Sequence, residues 1–219
     1  QWAAGLYTMV LGPDIRDLAG NQMDQDGDRI SGEATEDRYS ASVTVRSPDF
    51  VVTSVSTAET GSFGSPLSVT WTVRNAGSDA ARSTAWYDRI YLSRDTTIGG
   101  DDITLSDFYV SDADPLAPDT SYTRTTSVTL PINVNFGDGT YYILVGSDVY
   151  NYQIENNESN NAGASSAVTL TVPPLPDLVV DSVMPIQSVI EAGKPTTISW
   201  TLRNQGGAAT NTSWYDQIY

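Results

Sequence analysis

Residues 67–73, Leu-Ser-Val-Thr-Trp-Thr-Val, alternate apolar and polar side chains without a break. A period of two puts Leu67, Val69, Trp71 and Val73 on one face of an extended strand and the hydroxyl-bearing residues on the other. Thr196–Leu202 keeps the same parity with Ile198, Trp200 and Leu202, and Val168, Leu170 and Val172 alternate likewise. Tyr141–Val145 is almost continuously apolar, as expected of a central strand. Phe50–Val55, Trp86–Leu92, Ile103–Val110 and Tyr122–Leu130 are further strands by the same reading, and Gly5–Leu11 and Tyr39–Val45 bracket a polar stretch near the start. Turn residues separate the runs: Asn75-Ala76-Gly77, Gly99-Gly100-Asp101, Pro115 with Pro118-Asp119, and Gly137-Asp138-Gly139. No segment carries the 3.6-residue period of a helix. The expected fold is all-β, in tandem immunoglobulin-like antiparallel β-sandwiches.

Tandem, because the pattern occurs twice. Pro48-Asp49-Phe50-Val51-Val52 recurs as Pro176-Asp177-Leu178-Val179-Val180, Trp71-Thr72-Val73-Arg74-Asn75 as Trp200-Thr201-Leu202-Arg203-Asn204, and Trp86-Tyr87-Asp88 as Trp214-Tyr215-Asp216. The period is that of a domain, longer than a solenoid unit. Trp71 and Trp200, on alternating strands, are the expected core tryptophans. Trp86 and Asp88 share one strand face, with Tyr87 on the other, which predicts a partly buried aromatic beside a polar edge. Proline-rich Val172–Pro176 and the shorter Ser47-Pro48-Asp49 read as semi-rigid junctions. They divide the chain into residues 1–47, the end of an earlier domain; 48–173, one sandwich; and 174–219, the first part of a second.

Composition narrows the chemistry. The chain has 27 acidic and 11 basic residues, a net charge of −16 and a single lysine, Lys194. That balance repels phosphate backbones and anionic membrane surfaces and suits divalent cations. It predicts no nucleic-acid binding, and since no stretch reaches about 18 apolar residues, no helix inserted in a membrane is expected either. The chain has no cysteine and no histidine. Disulfides, thiolate metal sites, imidazole bases and Ser-His-Asp triads are therefore excluded within it. There is no nucleophile elbow and no phosphate-binding glycine loop. The reading is non-enzymatic.

The sharpest local motif lies in the polar stretch between the first two strands. Asp24-Gln25-Asp26-Gly27-Asp28 is followed by Gly32-Glu33 and Glu36-Asp37. Alternate carboxylates around a glycine bend aim several oxygens at one hard cation, and calcium takes six to eight. Counted from Gln22, Asp24, Asp26, Gly27 and Glu33 fall at positions 3, 5, 6 and 12 of a calcium loop, although position 1 is then an amide and no helices flank it. Asp24, Asp26, Asp28 and Glu33 are the candidate metal ligands, and calcium is the expected, structural cofactor. The polar groups at Asp95, Asp101 and Asp102, and the run Asn151–Asn161, read as turn chemistry.

Four motifs in order, Pro-Asp-Phe-Val-Val at 48–52, Trp-Thr-Val-Arg-Asn-Ala-Gly at 71–77, Tyr-Leu-Ser-Arg-Asp at 91–95 and Glu-Asn-Asn-Glu-Ser-Asn-Asn at 155–161, resemble the bacterial cell-adhesion-related domain, CARDB. The resemblance covers residues 48–172 and the start of a second copy from 176. It implies sandwich repeats in secreted or cell-surface proteins. Gly5-Leu6-Tyr7, Ile15–Asn21 and the Asp24–Asp28 run resemble the C-terminal part of a bacterial Ig-like domain of surface-layer or adhesin type. The expected role is a structural or adhesive module array, with a surface protein or carbohydrate as ligand. Two rivals stand beside it. One is a carbohydrate-binding accessory with exposed coplanar aromatics, such as Trp86 with Tyr109 or Tyr152. The other is the stalk of a larger extracellular hydrolase.

Overall fold

The computed structural model describes residues 3–81, 83–111, 116–132 and 136–219. The turn signal at Pro115 lies outside them. Every element is a strand. β1 (Gly5–Leu11) and β2 (Tyr39–Val45) pair as an antiparallel ribbon. β3 (Phe50–Thr57), β5 (Pro66–Asn75) and β8 (Ser121–Thr129) form a three-stranded sheet in the order β3-β5-β8. β4 (Thr60–Ser62), β11 (Val168–Thr171), β9 (Gly139–Gly146), β6 (Trp86–Ser93) and β7 (Ile103–Val110) form the second sheet in that order, and β10 (Ala162–Ala164) pairs beside β9. β12 (Leu178–Pro185) and β13 (Ile198–Asn204) make a final two-stranded ribbon.

The two larger sheets close over one core. Along β5 the inward positions Leu67, Val69, Trp71, Val73 and Asn75 are all buried, as the period of two requires. Trp86, Ile90, Ile143, Val145 and Leu170 meet them from the facing sheet, and Phe50 joins them from the neighbouring strand β3. Burial of side chains of this size contributes about 1.5–3 kcal/mol each. The edge of Trp71 meets Phe108 with ring centroids 5.1 Å apart, and Phe50 packs on Trp86 at 4.8 Å. Aromatic and aliphatic packing thus fills the place a disulfide takes in antibody domains.

Two expectations change. The sandwich is antiparallel except where β4 runs parallel to β11. There the chain leaves the β3 sheet through Ala58 and Glu59 and joins the edge of the other sheet. Trp200, expected in a core, is 41% exposed in this chain, and no residue of β12 or β13 is buried. Alternation selects a face of a strand, but burial needs a second sheet across that face. Among the described residues, none covers β12–β13.

Candidate functional site: an acidic loop and a motif-built corner

The loop between β1 and β2 is ordered by its own side chains. Asp17 Oδ1 accepts the Ala19 and Asn21 amides at 2.8 and 2.9 Å, and Met23 and Ile15 are joined by a backbone hydrogen bond. Asp24 accepts the Gly27 amide at 2.8 Å and the Arg29 amide at 3.0 Å, Asp26 that of Asp28, and Asp28 that of Ile30. Gly27 sits at φ 81°, a conformation glycine takes without strain. These bonds bend the chain so that carboxylate oxygens of Asp24, Asp26 and Asp28 lie within 4.8 Å of one another. Oxygens of Asp26, Glu33 and Glu36 form a second such group.

The four candidate ligands therefore do not make one cluster. Asp26 belongs to both groups, and Glu33 is paired with Glu36. Glu33 Oε2 is buried and has no hydrogen-bond partner. Burial first, and then the charges of Asp28, Glu36 and Asp26, raise its pKa. Asp37 closes the acidic run in sequence but has another task. Fully buried, it accepts the Gln25 amide at 2.5 Å and the Glu33 amide at 2.9 Å, and these bonds lower its pKa. It is the peg on which the loop hangs.

Within the sandwich, three of the separated motifs converge on one corner. The Asn75 side chain accepts the Asp49 and Gly77 amides, both at 3.0 Å, and donates to the carbonyls of Asp79 and Leu116. Gly77 lies so close to the backbone of Ser47, Pro48 and Asp49 that any Cβ would collide with it. From the far end of the module, the Asn156 amide donates to Pro48 O at 2.9 Å. Asn160 Nδ2 reaches the Asp49 carboxylate at 3.3 and 3.4 Å. Glu155 accepts the Phe50 amide and, at 2.9 Å, Asn161 Nδ2. Burial pushes the Glu155 carboxyl up to about 8, and Asp148, which holds the Tyr152 and Gln153 amides, up to about 6. The run 151–161 includes the expected turn bonds, such as Asn157 to Ser159. Its further part, clasping the start of β3, is invisible to local turn rules.

The core hides a carboxylate. Asp88 is fully buried, accepting Trp71 Nε1 at 2.7 Å, Tyr122 Oη at 2.8 Å and Ser147 Oγ at 2.9 Å. Trp86 Nε1 donates in turn to Tyr122 Oη at 2.9 Å. Burial raises the pKa of Asp88, and its three donors oppose that rise. The expectation of a partly exposed Trp86 is thus corrected: it too is fully buried, so it cannot belong to a surface platform with Tyr109 or Tyr152. The signal was present in the Trp-x-Asp spacing, which puts indole and carboxylate on one face. The spacing alone does not distinguish an edge from the interior. An acceptor for the Trp71 indole and the Tyr122 phenol was needed inside.

The CARDB family matches residues 47–165, a span that includes all four motifs. The chain belongs to this family. CARDB is a non-enzymatic, cell-adhesion-related module family. A CARDB domain from Pyrococcus furiosus, solved in complex with di-metal ions, is similar at 20% identity and TM-score 0.43. The match covers 60% of this chain and 100% of that one. A solution structure of the same CARDB domain matches at 21% identity, TM-score 0.42, over 58% of this chain and 98% of that one. A β-glucosidase from Erythrobacter marinus is similar at 16% identity and TM-score 0.37, over 57% of this chain and 16% of the enzyme. No curated protein matches the chain. No helix is long and apolar enough to cross a membrane among the described residues.

Proposed function

We propose that this chain is a run of tandem, non-catalytic CARDB modules that space or present adhesive surfaces in a larger secreted or cell-surface bacterial protein. The preceding acidic loop belongs to an Ig-like module and is stiffened by calcium. The observation that carries the tandem reading is a repetition of hydrogen bonds, not only of letters. Asn204 accepts the Asp177 and Gly206 amides at 2.9 and 3.0 Å, as Asn75 does for Asp49 and Gly77. Gly206 lies against the backbone of Leu175, Pro176 and Asp177, as Gly77 lies against 47–49. Both ribbons shift register one residue past the second valine, at Val52/Ser54 and Val180/Ser182. Trp200 Nε1 donates to Asp216 at 2.9 Å, the counterpart of Trp71 and Asp88. On this reading the modules are residues 48–173 and 174 onward, with the prolines between them limiting bending.

The calcium reading is supported by the two carboxylate groups that share Asp26 and by the unpartnered Glu33 oxygen. A calcium ion with bonds of about 2.3–2.6 Å is shared readily by oxygens about 5 Å apart, and it relieves the mutual repulsion of these acids. Asp24, Asp26 and Asp28 would hold one ion, and Asp26, Glu33 and Glu36 offer a second, adjoining position. Limited proteolysis of the chain in calcium and in EGTA tests this. Calcium is expected to suppress cutting within Asn21–Asp37, and Asp26→Asn to remove the protection more fully than Asp28→Asn. Identical digests with and without calcium would refute the site.

A further inference from the structure

Strand alternation turns Tyr87, Arg89 and Tyr91 outward from β6 while Trp86, Asp88 and Ile90 face the core. Across the ladder, Tyr87 pairs with Tyr109 and Arg89 with Asp107. After β9 the chain doubles back and lays Tyr150 and Tyr152 over the same face. Tyr87 is the hub, with ring centroids at 5.0 Å to Tyr109, 5.5 Å to Tyr150 and 6.1 Å to Tyr152. Tyr109, Tyr150 and Tyr152 are 55%, 48% and 54% exposed. A solvent-facing sheet surface ordinarily carries polar side chains; this one displays aromatic rings.

One of these rings, Tyr150, is held in place by polar contacts. Arg89 grips Asp107 through two hydrogen bonds of 2.5 and 2.8 Å. Tyr150 Oη accepts from Arg89 Nη2 at 2.6 Å and donates to Asp107 Oδ2 at 2.9 Å, and the guanidinium lies 5.2 Å from the Tyr150 ring centroid. A ring fixed before binding loses little side-chain entropy on contact, and the others pack against it and Tyr87.

We propose that this tyrosine cluster is a binding site for a neutral, soluble polysaccharide. Pyranose rings present patches of C–H groups that stack on the electron-rich face of an aromatic ring, and hydroxyl rims that pair with polar neighbours. The cluster offers both, since Asp107, Arg89 and the tyrosine hydroxyls border the rings. The chain's charge of −16 disfavours polyanionic partners. Planes inclined by 45° for Tyr87–Tyr109 and 38° for Tyr150–Tyr152 form a cradle rather than a flat table. That shape suits a single twisted glycan chain and not the face of a crystal. The assignment rests on the adhesive reading above and gives it a ligand class.

Affinity electrophoresis of the full chain through gels containing laminarin, arabinoxylan or alginate is the test. Retardation is expected on at least one neutral glycan and not on alginate. Tyr109→Ala and Tyr152→Ala should each weaken it by about tenfold or more, while Tyr109→Phe, which keeps the ring, retains it. Both tyrosines are exposed, so an unchanged melting temperature verifies that the alanine variants fold. Absence of retardation on the neutral gels, retardation unaffected by the alanine variants, or adsorption to microcrystalline cellulose alone would overturn the proposal. If the tyrosines instead bind a protein and no glycan, this assignment falls while the adhesive reading stands.

Discussion

Asp88 shows how much one residue decides. A carboxylate in an apolar interior is costly unless donors surround it. Here Trp71, Tyr122 and Ser147 supply them and lock two tryptophans across the sheets. Asp88→Ala would strand three buried donors and is expected to lower stability by about 3 kcal/mol or more. Asp88→Asn, which keeps an acceptor, should cost less. Trp71→Ala should cost about 3–5 kcal/mol, as for other large core residues. Urea unfolding checks these three: the midpoint should fall with little change in slope. Gly77→Ala is expected to cost about 1–3 kcal/mol through overpacking at the corner. A neutral result would mean that the junction backbone can give way.

At the scale of elements, the clasp from 148 to 161 over the start of β3 makes stability depend on pH in an unusual direction. Folding raises the Glu155 carboxyl from 4.5 to about 8 and Asp148 from 3.8 to about 6. The folded state then binds these protons more tightly than the unfolded chain. Their contribution is therefore full at low pH and is lost as pH rises through the folded values. Asp107, held down chiefly by its bond to Arg89, acts oppositely and loses its contribution as pH falls through its own lowered value. The urea midpoint should thus decline from about pH 4 to about pH 8. Glu155→Gln should flatten the upper part of that decline. A midpoint that rises over the same range would refute the buried-acid account.

For the whole molecule, the fully packed core residues among those described lie between Phe50 and Leu170. Residues 47–172 expressed alone should therefore unfold in one cooperative step, with a midpoint close to that of the corresponding transition in the full chain. Calcium should leave that step unmoved while it changes cleavage in the acidic loop. A shared shift of both would mean that the loop and the sandwich are energetically coupled.

Much of this was legible from residue order. The two-residue period of 67–73, the apolar run at 141–145 and the turn residues between them specify strands, because pleat geometry acts on neighbours only two residues apart. The limits of β1, β2 and β7 were legible to the residue. Short strands such as β4 and β10 were not, since three residues carry no period. The doubled motifs and the acidic loop were equally plain, each being a local spacing of residue types. Only the tertiary structure decided that Trp71 is sealed while Trp200 stands 41% exposed, that Asp88 belongs inside, that Glu33 pairs with Glu36, and that four tyrosines from three segments gather on one face. Each depends on what the fold brings across a gap of many residues: a facing sheet, a set of donors, or a returning loop.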